Sequence, residues 1–333
     1  MDDTELCFTP ATRLAALIAE REVSPVEVTR AVISRIEALE TKLNAFATFT
    51  PEAAMATAER AEAAVMAGEN LGPLHGVPMS IKDLADVKGL PTERGSFTLQ
   101  GDIAVSDAPF VARLKAAGAI CLGKTTTSEY GWKGVSQSPL TGITSNPWRL
   151  GYNAGASSAG AGAGAAAGYG PLHQGSDGAG SIRMPAHFSG VFGLKPTFGR
   201  IPNVPVRNNG QVSHIGPMTR TVADAALMLE VMAGPHPLDH YSLEAPPRPY
   251  LAELDAGVAD LRVGFSPDLG HARVDPDVAA SVEAALSSFA ELGINIEPVE
   301  TPFGPKGPDL VRFFWADRKS TRLNSSHSSV SRM

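Results

Sequence analysis

Apolar positions recur at helical spacing after a well-defined helix start near the N-terminus. Ser24 is placed as the N-cap, Pro25 as the first helical residue, and Glu27 completes a capping box with Ser24. The apolar residues that follow at helical spacing are Val28, Val32, Ile36 and Leu39. Because side chains three and four residues apart share one face of a helix, this pattern predicts a helix that packs on a core.

Further apolar and polar patterns alternate between helices and short strands along the rest of the chain. The predicted helices span residues 51–68, 107–117, 221–232 and 275–292, and the predicted strands residues 74–83, 119–122 and 294–299. Thr221 and Asp224 form a T-x-x-D cap at the start of one of these helices. Helices that alternate with short apolar runs indicate an α/β layered fold.

A lysine ends the apolar run of the strand predicted at residues 74–83. Lys82 closes the apolar run, so the stem of its side chain is expected to be buried. Most lysines are solvated surface groups, and that is the simpler interpretation. Burial, however, lowers the pKa of a lysine and makes a neutral amine available, so Lys82 is a candidate base.

Small residues dominate the stretch from Gly155 to Pro196. It contains two separate small-residue turns, one with Ser157 and one with Ser181, 24 positions apart. Small residues let the backbone approach a ligand closely, and successive N–H groups in such turns can bind an anion such as an acyl-transfer intermediate. The structural alternative is a Gly-rich loop beside a tightly packed Ala helix.

Composition and charge narrow the classes of protein that fit this pattern. With 333 residues, 43% of them apolar and 19% charged, the chain is long enough for one large α/β domain or two smaller ones. A formal net charge of −7 disfavours a nucleic-acid partner. The two cysteines, Cys7 and Cys121, exclude a disulfide framework and are typical of a reducing cytosol. The acidic N-terminus lacks the features of a signal peptide, and no apolar run approaches the ~18 residues of a membrane span.

Three short patterns imitate ligand-binding motifs. Residues 118–125 match the phosphate-binding pattern G-x-x-x-x-G-K-[ST], but a helix precedes the first glycine and the variable residues are themselves a predicted strand. Residues 160–165 imitate a dinucleotide fingerprint, but no strand leads into them. His236 and His240 have metal-like spacing, yet the flanking prolines oppose the helix that would place both on one face. A nucleotide-binding module is therefore a remote alternative, and a metal site is not expected.

The end of the chain differs in character from the rest. Residues 317–333 are polar, Ser-rich and without periodicity, and they resemble the translation of a common sequencing-library adapter. We therefore expect a non-native, disordered tail that contributes nothing to the fold. Reading the source DNA across codon 317 in an independent clone tests this expectation.

With Lys82, Ser157 and Ser181 in view, the chain resembles the amidase signature family over about residues 5–316. The similarity is densest at residues 76–83, 123–148 and 155–202. The resemblance implies the amidase-signature fold, an α/β fold in which a central mixed β-sheet is flanked by helices on both faces. It also implies that residues 1–316 form a single amidase-signature domain that lacks its C-terminal part, because family members commonly continue further.

The resemblance assigns a Ser–Ser–Lys triad to these residues. Lys82 would be the base, Ser157 the bridging serine, held by a cis Ala156–Ser157 peptide, and Ser181 the nucleophile. The oxyanion hole would consist of the N–H groups of Gly178, Ala179, Gly180 and Ser181. Structural support is expected from Ser158, Asp177 and Arg183.

These roles imply an amidase that hydrolyses the C–N bond of a carboxylic amide through a Ser181 acyl-enzyme, without a metal or cofactor. The expected partner is a small-molecule amide, with no nucleic acid and no membrane; the expected location is the cytoplasm, and a homodimer fits the family. The second enzyme candidate is the glutaminase-type A subunit of a tRNA-dependent amidotransferase. That subunit has the same triad. Its relatives usually read D-Q-I-G-P where residues 213–217 read S-H-I-G-P, so it ranks lower.

A few positions depart from the family pattern. Ala156, Ala159 and Ala179 stand where the family often has Gly. An alanine is costly at any of these positions that requires a positive φ. Ser189 occupies a position that is often Cys, and little consequence is expected from that exchange.

Overall fold

The computed structural model describes residues 1–205, 210–259 and 261–313 of the chain. The chain divides into two compact units, Met1–Glu253 and Leu254 onward. The tail predicted at residues 317–333 lies outside the described residues, so its non-native character stays a prediction.

The first unit alternates helices with short strands. Its helices are α1 (Asp3–Phe8), α2 (Ala11–Ala19), α3 (Pro25–Leu43), α4 (Pro51–Ala67), α5 (Pro109–Ala116), α6 (Ala159–Ala167), α7 (Arg183–Ser189) and α8 (Val222–Met232). Its strands are β1 (Phe46–Phe49), β2 (Pro78–Lys82), β3 (Ile120–Thr125), β4 (Gln137–Ser138), β5 (Gly142–Ile143), β6 (Leu172–Asp177), β7 (Phe192–Gly193) and β8 (His214–Thr219). Short 3-10 turns lie at Phe97–Leu99, Glu129–Gly131 and Gly210–Val212.

A mixed β-sheet forms the centre of this unit. Among the described residues its strand order is β1-β3-β2-β6-β8-β7. Strand β2 runs parallel to both neighbours, β3 and β6, while β1, β7 and β8 run antiparallel to the strands beside them. Helices flank the sheet, with α3 and α6 against β2 and α8 against β8. The predicted α/β fold with a central mixed sheet is therefore confirmed.

The parallel strands determine where polar side chains meet. Strands β2, β3 and β6 end at Lys82, Thr125 and Asp177, respectively. Because parallel strands have their carboxyl ends at the same edge of a sheet, these three residues and the segments that follow them lie together.

Helix α3 forms where its capping signals predict. The Ser24 side chain accepts a hydrogen bond from the backbone of the first turn, and the Glu27 side chain accepts one from the Ser24 N–H, so the capping box is present. The helix ends at Leu43, and the next residue, Asn44, is its C-cap in the left-handed conformation. The apolar face is buried as predicted, with Val28, Val32 and Ile36 fully buried and Leu39 partly buried against the same core.

The Ala/Gly run after the paired serines is the buried helix α6. Every residue from Ala159 to Ala165 is buried, so residues 160–165 are the interior of a helix and not a dinucleotide-binding turn. At Gly160 the backbone of a neighbour comes so close that a Cβ would overlap the carbonyl oxygen of Ala45. Small residues are needed here because α6 lies directly against the chain entering β1.

The phosphate-loop pattern at residues 118–125 is largely strand β3, as the sequence argument predicts. Its lysine, Lys124, is fully buried, with its Nζ atom 3.2 Å from Asp83 Oδ1 and 2.8 Å from the Pro91 carbonyl oxygen. Burial lowers the pKa of Lys124 and raises that of Asp83, and the attraction between them opposes both shifts. Because this ammonium group faces the interior, the pattern does not form a phosphate-binding loop.

The second unit carries one of the predicted helices and one of the predicted strands. It contains β9 (Arg262–Phe265), α9 (Pro276–Glu291) and β10 (Asn295–Pro298), with a 3-10 turn at Gly304–Lys306. Strands β9 and β10 pair in parallel and α9 connects them. Asp275 caps α9 by accepting from the Asp277 N–H, so the helix and strand predicted at residues 275–299 are confirmed within one or two residues.

Membrane-spanning helices were not expected from the sequence. In the part of the chain that the structure describes, every helix is too short or too polar to cross a bilayer.

Candidate active site

Lys82 lies at the carboxyl end of the central strand β2. Its side chain is fully buried, as predicted for a lysine that closes an apolar strand. The strand end is held from the neighbouring strand β6, because Gln174 Oε1 accepts a hydrogen bond from the Lys82 N–H at 3.1 Å. The side-chain amine is therefore carried by rigid backbone at the edge where the parallel strands end.

The Lys82 Nζ atom contacts hydroxyl groups from two separate segments. It lies 2.7 Å from Ser157 Oγ and 2.9 Å from Ser158 Oγ, both just before α6. The third hydroxyl is that of Ser176 on β6, with Oγ 3.1 Å from Nζ. All three serines are buried, so this cluster is shielded from water.

The paired serines are locked to the sheet by backbone contacts. The Ala156–Ser157 peptide is cis, as the family resemblance implies. The Ser158 hydroxyl donates to the carbonyl oxygen of Ser176 and accepts from its N–H, each at 3.2 Å. Ser158 therefore holds the start of α6 against β6 while its oxygen also accepts from Lys82.

Asp177 organises the turn that follows β6. Its carboxylate accepts from the N–H of Gly180 at 2.6 Å and of Ile182 at 3.1 Å, and from the Arg183 guanidinium at two positions, each 3.0 Å. Burial by itself would raise the pKa of the Asp177 carboxyl, but these hydrogen bonds outweigh it and lower the pKa to about 2. The same pairing raises the pKa of Arg183. The expected supporting roles of Asp177 and Arg183 stay predictions, and the contacts are those that such roles require.

Ser181 lies in this turn, directly beside the paired serines. It is half-buried, and its carbonyl oxygen accepts from the Ser158 N–H at 3.1 Å. The next residue, Ile182, is fully buried against Ala161 and Met218, and this packing holds the turn in place. Within the described residues the Ser181 hydroxyl makes no hydrogen bond, so the contact between Lys82 and Ser157 is formed and the one between Ser157 and Ser181 is not. Catalytic hydrogen bonds are often long before a substrate binds.

The four backbone donors expected at the oxyanion hole do not behave alike. The Gly180 N–H donates to Asp177, and this bond occupies it. In the described part of the chain, the N–H groups of Gly178, Ala179 and Ser181 have no hydrogen-bond partner. Three of the four expected donors are therefore unpaired within the described residues.

Comparison with known proteins identifies the family. The sequence model of the Amidase family matches residues 27–331. The chain belongs to the Amidase family. Among its relatives, an acylamidase of Rhodococcus erythropolis is 44% identical over 316 residues, which cover 95% of this chain and 66% of the relative. The A-type chain of the glutamyl-tRNA(Gln) amidotransferase of Geobacter sulfurreducens is 40% identical over 286 residues, covering 86% of this chain and 59% of the relative.

Solved structures lead to the same assignment. The structure of a bacterial aryl acylamidase of the amidase signature family superposes with a TM-score of 0.89 at 30% identity, covering 97% of this chain and 67% of that protein. The resemblance inferred from Lys82, Ser157 and Ser181 is therefore confirmed at the level of the family. The chain spans 66% and 59% of the length of the two relatives named above.

None of the alanines that replace family glycines has a positive φ. The residues other than glycine that have a positive φ within the described ranges are Arg21, Asn44, Arg94, Tyr130 and Leu269. Since Ala156, Ala159 and Ala179 are not among them, none requires a conformation that only glycine adopts easily. Ser189 is buried, and its hydroxyl has no partner in the described structure.

Two site residues escaped the sequence reasoning. Gln174 and Ser176 both reach Lys82 from β6, Gln174 at the backbone N–H and Ser176 at Nζ. Their spacing of two residues places them on one face of the strand, and both lie in the segment that leads to Asp177. The sequence analysis assigned no strand to residues 172–177, and without that strand the shared face of the two residues could not be seen.

Gly131 was also missed and lies against the bridging serine. A Cβ there would stand 2.7 Å from Leu84 Cδ1 and 3.1 Å from Ser157 Oγ, and its φ is 69°. A side chain at Gly131 would contact the bridging serine, so the 3-10 turn at Glu129–Gly131 packs against Ser157.

The two histidines with metal-like spacing have other contacts. His236 Nδ1 accepts from the Leu238 N–H at 3.3 Å, and the ring of His240 lies 4.0 Å from that of Tyr241. Nowhere in the described ranges do three metal-ligating side chains cluster.

Proposed function

We propose that this protein hydrolyses a carboxylic amide through a Ser181 acyl-enzyme, with Ser157 as proton relay and Lys82 as base. The observation that carries the proposal is the 2.7 Å contact between Lys82 Nζ and Ser157 Oγ, in a buried cluster that lies directly beside Ser181. Membership of the Amidase family supports the same chemistry.

The contacts of Lys82 fit a neutral amine. Burial disfavours the charged form of an amine. A neutral lysine has two N–H donors and one lone pair. The N–H groups can donate to Ser158 and Ser176, which leaves the lone pair for the hydroxyl at the shortest distance, that of Ser157. Lys82 can then accept the Ser157 proton while Ser157 accepts the proton of Ser181.

The reaction balances without any further group. The Ser181 oxygen attacks the amide carbon and gives its proton to Ser157, which passes its own proton to Lys82. The carbon–nitrogen bond of the tetrahedral intermediate breaks as the leaving nitrogen takes a proton back along the same path. The products of this step are an amine or ammonia and a Ser181 ester. Water, activated by the same relay, then hydrolyses the ester to the carboxylic acid and restores the Ser181 hydroxyl.

The negative charge of the intermediate requires backbone donors. We assign this role to the N–H groups of Gly178, Ala179 and Ser181, which have no other partner in the described structure. Gly180, expected in the same role, donates to Asp177 and contributes by holding the turn in shape.

The substrate class follows from the relatives. An acylamidase at 44% identity and an aryl acylamidase at a TM-score of 0.89 support a small carboxylic amide as the substrate. We propose that the leaving group is an amine or ammonia.

A second candidate is the glutaminase component of an amidotransferase, because relatives with that name are 40% identical to the chain. The sequence S-H-I-G-P at residues 213–217 departs from the pattern of that group. In the structure this difference lies beside the site, since His214 pairs with Asp177 and Ile215 with Ser176 across β6 and β8. Release of ammonia from glutamine that depends on partner proteins would favour this candidate over a free-standing amidase.

The test is a screen of small amides with purified protein and matched variants. Ser181→Ala and Lys82→Ala should each abolish turnover, whereas Ser189→Ala, which removes a buried hydroxyl without a partner in the described structure, should retain it. A fluorophosphonate probe should label Ser181 and not Ser189, as read by peptide mass spectrometry. Turnover or labelling that survives Ser181→Ala would refute the assignment.

A further inference from the structure

A cavity lies away from the site described above. It has a volume of about 480 Å³ and opens between α4, α5, the strand β3 and the segment that follows β2. This volume falls within the roughly 300–1,000 Å³ range of small-molecule sites. It shares no lining residue with the cluster around Lys82.

Part of the wall of this cavity is apolar. Val87 and Leu90 line it from the segment after β2, Cys121 from β3 and Ala119 from the residue just before that strand. Burial raises the pKa of the Cys121 thiol, so that side chain is neutral and behaves as an apolar group at neutral pH. A hydrocarbon group could therefore lie against this wall.

The cations around the cavity come from three different elements. Arg60 belongs to α4, Lys88 to the segment after β2, and Lys115 to α5, and none of the residues lining the cavity is acidic. Asp107, which is not a lining residue, accepts from Lys115 Nζ at 2.7 Å and from the Lys88 N–H at 2.8 Å. One of the three cations is therefore neutralised locally.

The other two cations belong to exposed residues, Arg60 and Lys88. Arg60 donates to the Thr57 hydroxyl at 2.9 Å, and neither Arg60 nor Lys88 forms an ion pair with any residue that the structure describes. Isolated surface lysines and arginines are usually solvated and need no ligand. Here, however, acidic residues outnumber basic ones in the chain by 35 to 28, and the unpaired cations converge on one cavity with an apolar wall.

We propose that this cavity binds a small amphiphilic anion, with its head group at Arg60 and Lys88 and its hydrocarbon chain against Val87, Leu90 and Cys121. A carboxylate and a phosphate monoester have this chemistry in common. An uncharged chain lacks the contact with the cations, and a free inorganic anion lacks the apolar contact, so each should bind less tightly than the complete molecule.

Calorimetric titration of the full chain tests the proposal with four probes: octanoate, octyl phosphate, octan-1-ol and inorganic phosphate. We expect one-to-one binding of octanoate, octyl phosphate or both, and at least about tenfold weaker binding of octan-1-ol and inorganic phosphate. Binding of only one of the two amphiphiles supports the site and identifies its head group. Binding of neither overturns the proposal.

Variants locate the binding. Arg60→Gln combined with Lys88→Gln should weaken amphiphile binding about tenfold or more, whereas Arg13→Gln combined with Lys42→Gln, which removes two cations elsewhere on the surface, should not. Ala53 lines the cavity from the exposed side of α4, so Ala53→Trp should fill the cavity and remove binding while the circular dichroism spectrum stays unchanged. Wild-type affinity in both cavity variants overturns the proposal.

The test is independent of the proposed amide chemistry. Ser181→Ala should bind the amphiphile with wild-type affinity, because Ser181 does not line this cavity. If Ser181→Ala abolishes binding, the amphiphile occupies the catalytic site and the proposal is overturned. If amide turnover is never found, the titrations of the cavity variants still decide whether the second site exists.

Discussion

The Asp177 carboxylate offers the sharpest test of how the catalytic turn is held. We consider Asp177→Asn, which keeps the size of the side chain and removes its charge. An asparagine can accept through one oxygen only, so it cannot satisfy Gly180, Ile182 and both positions of Arg183 together. The substitution should loosen the turn that carries Ser181.

The magnitude follows from the pKa of this carboxyl, which is lowered from 3.8 to about 2. Each unit is equivalent to about 1.4 kcal/mol, which sets an upper bound of about 2.5 kcal/mol on the electrostatic stabilisation at neutral pH. The Arg183 side chain is 56% exposed, so solvent screens part of this interaction. We therefore expect Asp177→Asn to reduce the free energy of unfolding by about 1–2 kcal/mol at pH 7.

The direction of the Asp177 pKa shift determines how this stabilisation changes with pH. Because the pKa of Asp177 is lower in the folded state, its stabilisation is fully present above the ordinary pKa of 3.8 and is lost as the pH falls towards 2. By pH 3 about half of it should be gone. The difference between wild type and Asp177→Asn should therefore shrink between pH 5 and pH 3.

Urea unfolding followed by circular dichroism at pH 7, 5, 4 and 3 measures this difference. The exposed Asp3→Asn is the matched control, since it removes a carboxylate from the first turn of α1 without touching the site. A difference between Asp177→Asn and wild type that is constant over this pH range, or equal to that of Asp3→Asn, would refute the reasoning.

Three further substitutions test buried groups of the first unit. Lys124→Met leaves the buried Asp83 carboxylate without its cation. This variant should lower the free energy of unfolding in urea by about 3–5 kcal/mol. Adding Asp83→Asn to Lys124→Met should recover part of that loss, because the uncompensated charge is then gone. Gly160→Ala should destabilise by about 1–3 kcal/mol despite its better helix propensity, because its Cβ would overlap the Ala45 carbonyl oxygen. Burial raises the pKa of the Glu40 carboxyl from 4.5 to about 7. The free energy of unfolding of wild type therefore falls as the pH rises through this range, because the buried carboxyl becomes charged. Glu40→Gln should be about 2 kcal/mol more stable than wild type at pH 8 but not at pH 5.

A specific outcome would contradict each of these three predictions. For Lys124→Met, a double variant no more stable than the single one would show that the buried charge is not the cause. For Gly160→Ala, the control in the same helix is Gly164→Ala, whose Cβ would meet the His173 side chain at 3.1 Å rather than a backbone atom. Equal effects at the two glycines would contradict the role of the Ala45 carbonyl. For Glu40→Gln, a gain in stability that does not change between pH 5 and pH 8 would contradict the titration of this carboxyl.

Local structure could be predicted from the sequence where a signal is contained within a few residues. The capping box at Ser24 formed, and Thr221 caps its helix by accepting from the Asp224 N–H, because the residues that satisfy the first N–H groups of a helix lie within one turn. The Asp224 carboxylate does not complete a box with Thr221 and accepts instead from Thr12, which no local signal predicts. The order of the neighbouring elements alone also predicts that residues 118–125 do not form a phosphate-binding loop, and in the structure most of them form β3. The family could also be predicted, since Lys82 and the two serine turns together form a specific pattern.

Only the tertiary structure decided how those residues meet. Sequence spacing does not show that β2 lies between β3 and β6, yet this arrangement brings Lys82, Gln174 and Ser176 together from strands more than 90 residues apart in the chain. Nor does the local sequence show that the Gly180 N–H is occupied by Asp177, because a run of small residues leaves the direction of each N–H undetermined.

The sequence by itself thus determined the helices that carry a clear cap or periodicity, such as α3 and α9, and it pointed to Lys82, Ser157 and Ser181. The caps could be predicted because each depends on interactions within one turn of helix. The fold decided which hydroxyls contact Lys82, which backbone donors stay unpaired in the described part of the chain, and where Arg60 and Lys88 converge. Those features depend on strand order and on packing between distant segments, and no short stretch of the chain encodes them.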